Sequence, residues 1–516
     1  MPPPAQPPPV TPPPAPAHPD NRTAAEKRLD AEAACAAHAP ECDWVMTFSS
    51  LEKVSIRRTL SELGLEVDPA PWGKTIGHII VHNEDVFAEK NWLRFFNHFH
   101  ITTRPSTLRR ELTFDEGQVW NQDLVAESAR RIKDPLFSSV VAILPIKSSQ
   151  AGQVDVLVVT RDIWSLRLNT KYEIQEQSLT SFSMSLSENN FLGRRKTVAA
   201  ALLMDQASVA VGPLYIDKNF LGQHIDFRFR VDKIFTRQSL DTIDLDGNHF
   251  PTGDPQGIED AGKLRSEGSD ATVSLAKQLW SLASTWGYGA SFNYRNAVAR
   301  SYFGTGLRAY DAPDTPTIDN LPREYRLKTW SVQASGTRQW GDALKHQVQA
   351  GYAVSSTRPT LLGTFPMDPT LQADFVRDVF PRTEVVSDPY VEYSLFLAKY
   401  RTVRNVDTYE LAEDVRLGPN ASAGLAQSLK LLGSDYTFTR PSVTAGWTFP
   451  WGPDGFVRLS GGGQVRIQGG ESIDNTATAQ VRAATPTLPY MRLIAQVHME
   501  TRWHDTQNQY YALQLE

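Results

Sequence analysis

The sequence predicts a mainly β protein. A small α+β domain precedes a long series of antiparallel strands, read as a transmembrane β-barrel of up to sixteen strands and not necessarily complete. Three observations carry this. Residues 76–163 run in the order strand, helix, helix, strand, strand. From Trp164 onward strand-like runs recur with no long amphipathic helix between them. The connections between those runs alternate in length, and a membrane barrel has short turns on one rim and long loops on the other.

Composition bounds the reading. The 516 residues suffice for more than one domain. Mean hydropathy is −0.35, and no apolar run reaches the roughly 18–20 residues of a membrane helix. That excludes a helical membrane protein. It leaves a barrel open, because barrel strands alternate and look polar on average. A net charge of −6 gives nucleic-acid binding no electrostatic support. Aromatic residues, 10% of the chain, fit ordinary β composition and interfacial girdles equally.

Residues 1–42 are a disordered Pro- and Ala-rich tether. Repeated prolines favour polyproline II and build no core, so the segment acts as a spacer. Cys35 and Cys42 are the only two cysteines. In an oxidising compartment they would close a small loop, worth about 2–3 kcal/mol. Two idle thiols are an equal alternative. His38 is the only extra ligand nearby, too few for a metal site. Residues 43–75 are a poorly defined linker.

The domain at 76–163 begins with a strand through Ile76, Ile79, Ile80 and Val81, ending at His82-Asn83. Pro105 suits the first turn of a helix, where its missing N–H costs nothing. Leu108 and Leu112 share a face of that helix. Asn121 is placed to cap a second helix, with Trp120 and Val125 as a hydrophobic staple. Its apolar stripe is Leu124, Val125, Ala129 and Ile132. Asp134-Pro135 ends it. Val140–Ile146 and Val154–Thr160 are then two strands about a polar turn.

The barrel region spans 164–516. The tetrapeptide Asn-Phe-Leu-Gly occurs twice, at Asn190–Gly193 and Asn219–Gly222, each time between two strand-like runs. From Ile225 to Val231 alternation is unbroken. Ile225, Phe227, Phe229 and Val231 share one face, and Asp226, Arg228 and Arg230 the other. Strand candidates lie near 163–173, 178–189, 196–204, 207–217, 223–235, 270–282, 285–299, 327–340, 344–356, 389–402 and 404–416. Five weaker ones follow near 421–433, 438–449, 455–468, 475–485 and 490–503. Gly193–Lys196, Gly222–His224, Ala283–Thr285, Gly341–Ala343 and Thr402–Val403 are tight connections. Thr236–Ser269, Arg300–Arg326 and Ser356–Pro389 are long and polar. Periodicity alone does not decide whether the Phe face meets lipid or a soluble core. Loop asymmetry and strand lengths near the ~9–11 residues that cross a bilayer favour lipid.

The string ITTRPSTLRREL, an acidic-Gly turn, LVAESARRIKDPLFSSV and then VDVLVVTRDIWSL resembles a POTRA domain, the periplasmic module of the BamA/TamA superfamily of outer-membrane barrels. GPLYIDKNFLG and the Asn-Phe-Leu-Gly pair are similar to that superfamily's first barrel strands and turns. The resemblance covers about 76–240 and includes one POTRA domain. It implies an outer membrane of a Gram-negative bacterium, with the POTRA domain in the periplasm and the barrel in contact with outer-membrane lipid. It implies assembly or insertion of outer-membrane proteins, or protein translocation, without covalent chemistry. Partners would be unfolded β-barrel or secreted proteins and periplasmic proteins, recruited by strand addition at Ile76, Ile79, Val81, Val140 or Ile143. Asp226, Arg228 and Arg230 would face the lumen, and Ile225, Phe227, Phe229 and Val231 the lipid. A two-partner-secretion-type transporter, a passive surface barrel and a soluble β-rich adhesin are the rival readings. The superfamily's Arg-Gly-Phe/Tyr lid motif is absent; GLRAY at Gly306–Tyr310 is a chance likeness. The expectation is a truncated chain, with a signal peptide upstream and the lid loop and last strands downstream.

No catalytic constellation, P-loop, GxSxG or HExxH is present, and no catalytic, cofactor or metal residue is assigned. His78, His82, His98 and His100 cluster in sequence, and His98 and His100 are spaced to share a strand face. Asp241–Gly247 has some likeness to a calcium loop but lacks the spacing and closing Glu.

Overall fold

The computed structural model describes residues 48–87, 92–175, 178–237, 265–303, 306–316, 318–408, 412–489 and 491–506. The tether with Cys35 and Cys42, and the stretch 241–247, lie outside them.

The segment expected as a poorly defined linker holds a helix, α1 (Ser50–Leu63). Its start is a capping box: Ser49 Oγ accepts from the Glu52 N–H, and the Glu52 carboxylate accepts from the Ser49 N–H. Gly64 closes it in the left-handed conformation. These S-x-x-E and Gly signals were readable in the sequence; the mixed periodicity of 48–66 hid them. The expected strand-helix-helix-strand-strand order follows as β1 (Thr75–Glu84), α2 (Pro105–Arg109), α3 (Gln122–Ile132), β2 (Ser138–Lys147) and β3 (Gln153–Asp162). β3 is central, parallel to β1 and antiparallel to β2. Consecutive residues of β2 and β3 are buried, so both faces of these strands are covered. That takes more than the two helices after β1, and α1 is the additional cover. Ile56 of α1 joins Leu108, Trp120, Leu144 and Leu157 in one core.

A sixteen-stranded antiparallel sheet follows. Its strands are β4 (Leu166–Gln175), β5 (Ser178–Glu188), β6 (Lys196–Met204), β7 (Ser208–Phe220), β8 (Ile225–Thr236), β9 (Ser266–Lys277), β10 (Trp286–Arg300) and β11 (Glu324–Trp340). Next come β12 (Leu344–Thr360), β13 (Glu384–Leu397), β14 (Lys399–Arg404), β15 (Ala412–Ser428), β16 (Phe438–Trp451), β17 (Gly455–Gln468), β18 (Glu471–Ala484) and β19 (Ile494–Trp503). Strand count and most positions match the sequence reading. One region does not. Thr402 and Val403 are not a turn, and 404–416 and 421–433 are not separate strands. β14 continues β13 past Ala398, and both pair in one register with the long β15. β13 and β14 therefore occupy one position, and the two edge strands, β4 and β19, run the same way.

Opposed residues in antiparallel strands share a face. Phe229 sits in a row that crosses seven strands: Val198, Tyr215, Phe229, Val273, Phe292, Val332 and Val354. The opposite face carries Arg230, Thr272, Asn293, Ser331 and Ser355 in register. A second apolar row, Trp447, Leu459, Val481 and Val497, runs through β16–β19 and is exposed.

The rim away from the α+β domain carries a cap. Two short strand pairs between β10 and β11 and a helix α4 (Pro369–Val379) bury Tyr310, Leu371, Phe375, Val379 and Phe380 together. The region after Trp164, expected to hold no long amphipathic helix, holds this one of 11 residues. Asp368 caps it, Pro369 opens it, and Leu371, Phe375 and Val379 recur every four residues. Tyr310 of the GLRAY string belongs to this core.

Candidate functional site at the domain–barrel junction

The two Asn-Phe-Leu-Gly copies build the same turn. Leu192 and Leu221, Gly193 and Gly222, and Arg195 and His224 all have positive φ. In each, the Asn side chain accepts the N–H five residues on, from Arg195 and from His224. In each, a carboxylate two residues earlier accepts the Asn N–H: Glu188 in one, Asp217 in the other. The repeated sequence is thus a repeated solution to one backbone path.

Both turns lie on the rim facing the α+β domain and dock on it. Asn190 Nδ2 donates to the carbonyl of Ile101 at 2.9 Å and to Thr103 Oγ1 at 3.0 Å. The buried Asp162 carboxylate accepts from the Thr103 N–H, the Thr103 hydroxyl and His100 Nε2. The Gly193 carbonyl accepts the Arg104 N–H at 2.9 Å. Arg195 donates to the Ile132 carbonyl and Ser138 Oγ. At the second turn, Lys218 pairs with Asp134 at 2.7 Å. His100, expected on a strand with His98, instead follows a 3-10 turn (Trp92–Phe99) and serves this junction. No group of three or more potential metal ligands occurs among the described residues.

The C-terminal half of α3 faces the barrel mouth. The Arg131 guanidinium lies 4.4 Å from the Trp280 ring, and His224 stacks on the same ring at 4.1 Å. Glu127 accepts the Leu282 N–H at 2.5 Å. Arg130 lies over Tyr400 at 4.9 Å. A cavity of about 560 Å³ remains between α3 and the mouth, lined by Glu127, Arg130, Trp280, Gln339, Phe396 and Tyr400 among others. Burial lowers the His224 pKa; Glu111 opposes this, and Arg131, Lys277 and Arg110 lower it further.

The β14–β15 hairpin reaches into this junction. It leaves the sheet at Ala398 and Gly418, and β14 pairs with β15 alone. Gly418 has φ +85, and a Cβ there would come within 2.8 Å of Leu397. One face of the hairpin sets Val403 and Val415 against Phe456 and Ala484 of β17 and β18. From the other, Arg404 pairs with Glu52 at 2.9 Å and Asp414 with Lys133 at 4.0 Å. The hairpin is therefore held between wall and domain. Nothing in the local sequence announces this.

The expected strand-addition residues do sit on the two edge strands of the small sheet, but those edges are largely closed. The outward N–H and C=O of Ile76 bond to Gln118 and Gly117, and those of Ile79 to Glu116 and Arg109. On β2, the Pro145 carbonyl accepts from Asp68, and the Lys147 N–H donates to Glu66. Val140 and Ile143 are 0% and 4% exposed, which leaves no room for an added strand. Of the five, only Val81 is part-exposed. Asp226 and Arg228 pair at 2.8 Å on the polar face of the wall, with Arg230 beside them on Asp232. Ile225, Phe227, Phe229 and Val231 occupy the apolar face.

No family model and no curated protein matches the chain. Among solved structures it is similar to BamA from Haemophilus ducreyi lacking POTRA domains 1–3, with 12% identity over 94% of this chain and 86% of that one, TM-score 0.32. It is also similar to CdiB from Acinetobacter baumannii, with 9% identity over 92% and 86% and TM-score 0.29. CdiB from Escherichia coli shares 13% identity over 83% and 75%, TM-score 0.36.

Proposed function

We propose that this protein is an outer-membrane barrel of the BamA/TamA type that inserts or translocates β-rich polypeptide, with its α+β domain in the periplasm. The observation that carries the reading is the docking of that domain across one mouth of the sheet, on the turns at 190–195, 219–224 and 280–282 and on the β14–β15 hairpin. A polypeptide approaching from the domain side meets the domain before the lumen. The apolar rows through Phe229 and Trp447 form the lipid contact, and the Arg228 face lines the lumen. The chemistry is backbone hydrogen bonding and lipid perturbation. Recruitment by strand addition is left to the outer edge of β1 near Val81 and to the exposed edge of β19.

A fractionation tests this. Heat-modifiable mobility and detergent-dependent solubility are expected. A monodisperse protein in plain buffer would sink the reading in favour of a soluble adhesin. Deleting residues 76–163 should abolish function while the barrel still forms; unchanged function would favour a passive surface barrel.

A further inference from the structure

The wall of β17 and β18 holds two arginines opposite one another on its polar face. Other wall arginines meet wall carboxylates: Arg228 with Asp226, Arg300 with Glu267 at 2.6 Å, and Arg466, also on β17, with Glu384 at 2.8 Å. Arg458 and Arg482 instead stand directly opposite one another across β17 and β18. Like charges in that position destabilise a strand pair. They lie on the face opposite Leu459 and Val481, the polar one. Arg416 of β15 adds a third positive charge acting on Arg458, and its guanidinium is 4.6 Å from the ring of Phe396. Arg458 Nε donates to Thr448 Oγ1 at 3.2 Å. Arg482 Nε is buried without a hydrogen-bond partner.

Among the described residues, the carboxylate that pairs with this group is Asp407, 2.5 Å from Arg482. Asp407 is no part of the wall. It lies just past β14 at the tip of the folded-in hairpin, and its side chain is 63% exposed. The tip is held to its own strand: the Glu413 carboxylate accepts the N–H groups of Val406, Asp407 and Thr408. The hairpin thus presents one carboxylate, on a preformed tip, to the arginine pair of the wall. Charge-assisted bonds of this kind are strong and directional.

We propose that Arg458 and Arg482 form a lumenal site for a carboxylate-bearing segment of polypeptide, which Asp407 occupies in the resting state. This deepens the conduit reading above and rests on it. The like-charge pair is tolerated because its occupant is exchangeable. An acidic segment entering from the domain side displaces Asp407 and takes its place on the wall.

The test uses the full chain in detergent micelles and a fluorescein-labelled peptide of about ten residues alternating Ser and Asp, beside a Ser and Asn control. Asp407→Asn should bind the acidic peptide about tenfold more tightly than the unaltered protein. Arg458→Gln with Arg482→Gln should lose the preference for acid over control. Heat-modifiable mobility reports that each variant still forms its barrel. Equal binding of the two peptides, or an unchanged affinity in Asp407→Asn, would overturn the site while leaving the conduit reading in place. A single-stranded oligonucleotide of equal charge binding as tightly would overturn the polypeptide assignment. Failure of the unaltered protein to show heat-modifiable mobility would instead remove the conduit reading.

Discussion

Glu52 and Arg404 are 352 positions apart and meet at 2.9 Å. The same Glu52 carboxylate closes the capping box of α1. Burial pushes its pKa up, but Arg404, the Ser49 N–H and Lys133 together hold it below the usual carboxylate range. One side chain therefore joins the start of a helix in the small domain to a hairpin of the barrel.

Glu52→Gln separates these two roles. Glutamine still serves at that position of a capping box, so α1 persists. The half-buried Arg404 loses one charged partner, at a cost of about 1–2 kcal/mol. Spin-label distances between α1 and the β14–β15 hairpin should lengthen while helical circular dichroism is unchanged. In the unaltered protein the contact is complete at neutral pH. It is lost only as pH falls through the depressed pKa of Glu52, below the ordinary carboxylate value near 4.5.

His224 responds at a milder pH. Its pKa is lowered from 6.5 when stacked on Trp280, so the docked state favours the neutral ring. Docking strength is full above the undocked value of 6.5 and declines as pH falls below it, until the docked ring also protonates. Spin-label distances between α3 and the 219–224 turn should lengthen between pH 6.5 and 5. His224→Gln should flatten that response; a response kept in the variant would assign it elsewhere.

Gly193→Ala should weaken the first turn. Its φ is +68, and a Cβ would lie 2.4 Å from the Thr102 carbonyl oxygen. The conformational part alone costs about 1 kcal/mol, and the clash adds to it. Limited proteolysis should cut between the domain and β4 faster than in the unaltered protein. Gly64→Ala, also left-handed but with open space around it, should show only the smaller cost in α1 stability.

Arginine at Phe229 tests the lipid face. Near the bilayer midplane it should cost about 2–4 kcal/mol, read by urea titration of folding into vesicles. Arginine at Ser331, on the polar row between Asn293 and Ser355, should cost far less. Equal costs would show that the two faces do not meet different solvents.

The paired turns show how far sequence reading carries. Asn190 and Asn219 each fold back on their own chain within five residues, so the repeat alone specified both turns and placed them on one rim. The α1 cap at Ser49 and Glu52 and the α4 cap at Asp368-Pro369 are equally local. Weak periodicity in the neighbouring residues masks them. The strand positions were readable wherever alternation held, and slipped at 399–417, where Tyr400, Thr402, Arg416 and Asp414 alternate as any barrel strand would.

By itself, then, the sequence determined the order of the elements in 76–163, the two faces of β8 and the geometry of the Asn-Phe-Leu-Gly turns, because each depends on bonds or periodicity within a few residues. The tertiary structure alone decided that the β14–β15 hairpin turns inward, that Ile76, Ile79 and β2 have closed edges, and that Arg458 faces Arg482. Those outcomes depend on which distant groups compete for the same unpaired N–H, carbonyl or charge, and a linear pattern does not rank such competitors.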